Sequence, residues 1–95
     1  MVAAMFSGAY ESLVAAVVDL RKRAGLTQRQ LTTALGREQN YVGRIETRQR
    51  QIDLIELVQI CLACGVEPEE EIGQCYSSVA SKYAFDIALN DSRAI

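Results

Sequence analysis

Leu26-Thr27-Gln28-Arg29-Gln30-Leu31, followed by Gly36 and then by Gln39-Asn40-Tyr41-Val42-Gly43-Arg44-Ile45-Glu46, is the stretch whose reading decides the fold. Thr27 carries the side-chain oxygen of a helix N-cap, Gln30 stands where its side chain closes a capping box, and Leu26 staples onto Leu31. A helix follows, running to about Leu35. Gly36 permits a sharp turn, and a second helix from Gln39 to Thr47 turns Val42 and Ile45 inward. The expected unit is two short helices joined by a tight turn.

Working outward, Leu13, Val17, Leu20 and Ala24 recur at helical spacing from Ser12 to Ala24, and Gly25 ends that helix. Beyond the loop at 48–51 the start signal repeats: Asp53 as N-cap, Glu56 closing the box, and Ile52 stapling onto Leu57. This fourth helix runs from Leu54 to Cys64 and stops at Gly65. Pro68 suits the first position of a fifth helix, where Glu69, Glu70 and Glu71 complement the positive end of its dipole. In the tail, Tyr83, Phe85, Ile87 and Leu89 alternate with smaller or polar residues, as a strand would. Ala80, Ala84 and Ala88 recur every fourth residue with no glycine or proline after Gly73, which favours a helix instead. The chain thus divides into an arm over 1–11, an all-α head over 12–76 and an extension over 77–95, expected to be helical.

With 95 residues the chain can build one core and no more. The apolar start from Met1 to Phe6 lacks both the basic lead of a signal peptide and the length of a membrane span, so a cytoplasmic protein without a membrane partner is expected. There is no histidine, no metal-ligand set and no glycine-rich phosphate loop, and neither a general base nor an activated nucleophile can be named. An enzyme is not expected, nor a cofactor. Cys61 and Cys64 form a CxxC pair without the second pair that a tetrahedral zinc site needs, and they read as core residues. Cys75 reads as the most exposed of the three.

Charge is distributed unevenly. Residues 21–50 hold eight basic side chains against Glu38 and Glu46, giving +6, while the remainder of the chain carries −8. A polyanion responds to the field at the contact surface, which salt screens within about 8 Å, so the local excess matters more than the overall −2. On the helix from Gln39 to Thr47, the residues Gln39, Asn40, Gly43, Arg44 and Thr47 fall on one stripe, opposite Tyr41, Val42 and Ile45. That stripe is polar, rich in donors and free of carboxylates. A DNA major groove about 12 Å wide admits one helix, with Gln or Asn suited to adenine and Arg to guanine. Double-stranded DNA is therefore the expected partner and the stripe its base-reading surface, with Gly43 letting the backbone approach closely.

From Leu20 to Ile72 the chain resembles the Cro/CI-type, lambda-repressor-like (XRE-type) helix-turn-helix regulators. The resemblance rests on Arg21-Lys22-Arg23-Ala24-Gly25-Leu26-Thr27-Gln28, Leu31-Thr32, Gly36, and Gln39 through Glu46. It implies a five-helix domain with a C-terminal extension, acting as a transcriptional regulator. It further implies Gln28 as a phosphate contact at the first turn of its helix, joined by Arg29, Tyr41, Arg48 and Arg50, and a structural ion pair between Arg21 and Glu46. Arg37, Glu38 and Thr32 depart from the family's usual apolar residue, serine and alanine. One head offers few base contacts, so a homodimer repressing from a palindromic operator is expected, with Val79, Tyr83, Phe85, Ile87 and Leu89 in its interface. The rival reading is an antitoxin-like or adaptor module of the same fold that binds a protein partner. Such a module would have no use for arginines gathered around one polar stripe.

Overall fold

The structure, a computed structural model, describes residues 8–91, with the side chains of Tyr83 and of residues 85–91 outside the described set. Every element among the described residues is a helix: α1 (Gly8–Arg23), α2 (Gln28–Ala34), α3 (Tyr41–Glu46), α4 (Leu54–Ala63) and α5 (Pro68–Asp91). No helix among them is long and apolar enough to cross a membrane.

The core forms where the inward faces of the first four helices meet. Val17 and Leu20 of α1, Leu31 of α2, Tyr41, Val42 and Ile45 of α3, and Leu57, Ile60 and Cys61 of α4 are buried in one cluster. Leu26 and Ile52, the two stapling residues, pack against it together with Leu13, Leu35, Val66 and Ile72. A fully buried Leu or Ile contributes about 1.5–3 kcal/mol relative to leaving it exposed, so α3 is held by Val42 and Ile45 more than by its own hydrogen bonds.

Both capping boxes form. Gln30 N–H donates to Thr27 Oγ1 at 3.0 Å while Thr27 N–H donates to Gln30 Oε1 at 2.9 Å, and Asp53 and Glu56 make the same exchange at the start of α4. Helix α1 begins at Gly8, four residues before the expected Ser12, because Ala9 already packs inside and the Tyr10 hydroxyl accepts from Ile52 N–H at 3.3 Å. Those contacts draw part of the expected arm into the head. The tail is the second half of α5, one continuous helix of 24 residues packed along α1 and α4.

Cys61 is fully buried, and burial pushes its thiol up to about 11. Cys64 caps the end of α4 and packs against the core. Cys75 is half-buried rather than exposed, because α5 turns it toward Ala16 of α1, and burial pushes its thiol up as well. All three are free thiols.

Candidate nucleic-acid interface

Helix α3 is shorter than the sequence suggests. Gln39 and Asn40 lie in the turn before it, with Asn40 in the left-handed region at φ 71°, so they approach the helix without belonging to its stripe. The Asn40 side chain makes no capping hydrogen bond. Instead Val42 N–H, a donor in the first turn, reaches Thr32 Oγ1 on α2 at 3.2 Å. Thr32, which stands where the family usually has alanine, is buried and caps its neighbour across the helix-helix contact.

The other end of α3 closes with a Schellman motif: Gln49 N–H donates to Arg44 O at 2.8 Å and Arg48 N–H to Ile45 O at 3.1 Å. The left-handed position is occupied by glycine after α2 (Gly36, φ 66°) but here by Arg48, at φ 61°. A residue with a Cβ costs roughly 1–2 kcal/mol in this conformation relative to glycine. An arginine stands where glycine would fit better.

Between α2 and α3 lies an open polar groove of about 400 Å³, whose walls include Gln28, Arg29, Thr33, Gln39, Asn40 and Gly43. Arg44 and Thr47 are exposed one turn further along α3, where the Thr47 hydroxyl donates to Gly43 O at 2.9 Å and keeps its lone pairs for a donor from outside. Of the expected base-reading residues, Gln39, Asn40 and Gly43 thus share one groove, while Arg44 and Thr47 are exposed outside it.

The basic segment is neutralised more than its sequence implies, because folding lays carboxylates from outside it against four of its cations. Arg23 pairs with Asp19 and Glu71, Arg37 and Arg50 with Glu56, and Arg48 weakly with Glu11 at 4.0 Å. Arg29 and Arg44 make no ion pair among the described residues. Arg21 donates from Nε to Glu46 Oε2 at 2.7 Å, from NH2 to Oε1 at 3.1 Å, and from NH1 to Leu26 O at 2.9 Å. With side chains only 11% and 6% exposed, this pair ties α1 to α3 from inside the fold. Gln28, expected to face a phosphate, donates from Nε2 to Glu46 Oε1 at 2.7 Å and stays exposed.

One expected phosphate contact is corrected, and a second is found in an ion pair. Tyr41 is 1% exposed and belongs to the core, because the first residue of α3 points between α2 and α4. Burial, with Glu56 beside it, pushes its phenol up. Arg50 is not a free cation either: its guanidinium donates to Glu56 Oε2 at 2.7 Å and lies 4.9 Å from the Tyr41 ring centroid. Arg37 stacks on the same ring at 4.7 Å. Glu56 is the centre of this cluster, and the Arg50 guanidinium above all holds its carboxyl down at about 2. The sequence marks Glu56 only as a helix cap, since its partners stand 19 and 6 positions away with no periodic signal linking them.

The helix-turn-helix domain family matches residues 12–72, which takes in α2, the turn and α3. The chain belongs to the XRE-type helix-turn-helix family. Among solved structures, this XRE-type chain is similar to an XRE-family like protein from Pseudomonas syringae pv. tomato str. DC3000, at 30% identity and a TM-score of 0.67, over 73% of this chain and 84% of that one. No curated protein matches it. The XRE-type head is that of a DNA-binding regulator, and the groove between α2 and α3 lies on its helix-turn-helix face.

Proposed function

We propose that this protein is a sequence-specific transcriptional repressor that places α3 in the major groove of a palindromic operator and binds it as a homodimer. The observation that carries the reading is the freedom of charge: among the described residues Arg29, which lines the polar groove, and the exposed Arg44 make no ion pair, while Arg21, Arg23, Arg37 and Arg50 are tied to carboxylates. Arg44, with Gln39, Asn40 and Thr47, reads base edges. Arg29 and Arg48 hold phosphates on either side. Arg48 supports this reading through its backbone, since an arginine in the left-handed conformation that glycine would adopt at less cost points to a use outside the fold. Occupying an operator is enough to obstruct transcription, so repression needs no further surface. Leu54, Ile55, Leu62 and Tyr76, each more than 60% exposed, favour a protein partner in addition.

Selection of preferred duplexes from a random pool, followed by gel-shift titration, tests the reading. Arg44→Ala is expected to cost about 1–3 kcal/mol and to relax preference at one base pair. Arg48→Gly is expected to weaken binding to all sequences and to lower the salt slope by about 1, while the thermal midpoint holds or rises. Absence of sequence-selective binding at low salt by the unaltered protein would overturn the proposal.

A further inference from the structure

Gly43 stands inside a six-residue helix, where glycine is less favourable than any residue but proline, and its backbone is not in the left-handed region. No turn or cap requires it. What a side chain there would meet is Gln28: a Cβ on residue 43 would lie 3.2 Å from Gln28 Oε1 and 3.8 Å from its Cδ. The carboxamide of α2 therefore packs close against the space that a residue of α3 leaves empty. It is also held there. Its Nε2 donates to Glu46 Oε1 at 2.7 Å, and Glu46 is in turn fixed by the two bonds from Arg21. Because a carboxylate accepts only from the amide nitrogen, the clamp turns Oε1 toward Gly43.

We propose that Gln28 is a specificity-determining residue that reads a base edge in place of the side chain missing at Gly43. This rests on the DNA-binding reading above and departs from a phosphate role for Gln28. One N–H of the carboxamide is spent on Glu46, which leaves a second N–H and the Oε1 lone pairs on an exposed side chain that lines the same groove as Gln39 and Asn40. A donor beside an acceptor matches N7 and N6–H of adenine, so adenine is the base class. The reading surface is then assembled from both helices, and the Arg21–Glu46 pair orients it as well as joining α1 to α3.

The test compares duplex preferences of the full chain with those of Gln28→Ala, Gly43→Ala and the double variant, alongside thermal melts without DNA. Gln28→Ala is expected to lower discrimination at one base pair by roughly 5- to 100-fold, with little loss on duplexes already altered there. Gly43→Ala is expected to relax the same base pair by pushing the carboxamide a few tenths of an ångström off its position, and the double variant to be no worse than Gln28→Ala. In the melts, Gly43→Ala should raise the midpoint more in the Gln28→Ala background than alone, since the steric conflict is then gone. A Gln28→Ala protein that weakens on every duplex by one common factor would mark a phosphate contact and overturn the proposal, as would relaxation at different base pairs in the two single variants. Loss of selectivity in the unaltered chain would instead remove the DNA reading itself.

Discussion

Glu56 shows how far one side chain can organise a small domain. It is 5% exposed, and a carboxylate so placed is tolerable only when paired and hydrogen-bonded. Asp53 N–H, Arg50 and Arg37 supply that pairing, and Tyr41 lies under both guanidinium groups. The carboxyl sits at about 2 in the folded chain against an ordinary 4.5, so the folded state holds its proton less tightly than the unfolded one. Its stabilisation is therefore fully present above about pH 4.5 and is lost as pH falls toward 2. We expect on the order of 2–3 kcal/mol to disappear across that window. Thermal melts of wild type and Glu56→Gln between pH 6 and 2 check it, as the variant should be weaker at pH 6 and much flatter with acid. Parallel curves would reject the assignment. The Asp53–Glu56 box was legible in the sequence, because a cap is local. The arginines on Glu56 were not, because only the docking of the α2–α3 turn on α4 brings Arg37 to it.

At the scale of the elements, the same distinction between local and tertiary signals explains which helix ends were readable. Helices α2 and α4 start with a box written within four consecutive residues, and the turn after α2 is marked by Gly36. Helix α3 carries neither mark. Its start depends on Thr32, ten positions before Val42, and its end on an arginine in a glycine's conformation, so no local signal separates Gln39 and Asn40 from the helix. The tail was ambiguous for another reason: the period-two pattern of Tyr83, Phe85, Ile87 and Leu89 arises within a segment that has no helix breaker, and α5 continues through it to Asp91. The dependence of α3 on Thr32 gives a prediction. Thr32→Val keeps the shape and removes the acceptor, leaving a buried N–H unsatisfied at a cost of about 1–3 kcal/mol, whereas Thr32→Ser keeps the bond. Urea unfolding of the two variants measures the difference, and a Thr32→Val protein as stable as Thr32→Ser would refute the cross-helix cap.

For the whole molecule, the head and its groove use the first four helices, while α5 extends over 24 residues, about 36 Å at 1.5 Å each. Its first half closes the core through Ile72, and its start is tied to α1 by Glu71 and Arg23 at 3.0 Å. Further along, Val79 is half-buried, and the positions of Tyr83 and Ile87 follow it at four-residue spacing. The side chains of Tyr83, Phe85, Ile87 and Leu89 lie outside the described residues, so their part in an interface rests on the helical backbone and the sequence. Half-sites of a palindrome are about 34 Å apart, and a second head multiplies base contacts that one six-residue helix cannot supply. We therefore expect a two-fold dimer built on the second half of α5. Gly8, at the start of α1, lies against Lys82, with Lys82 Cδ 3.9 Å from where a Cβ on Gly8 would be, so cutting the chain after Ser78 also strips a contact from the head. A substitution in the full-length chain separates the two effects. Ile87→Lys should give a folded monomer by sedimentation, with an unchanged melt at low concentration and operator affinity reduced at least about tenfold, since one half-site then binds alone. A full-length wild-type monomer at micromolar concentration, or a dimer that persists in both Ile87→Lys and the chain ending at Ser78, would reject α5 as the dimer element.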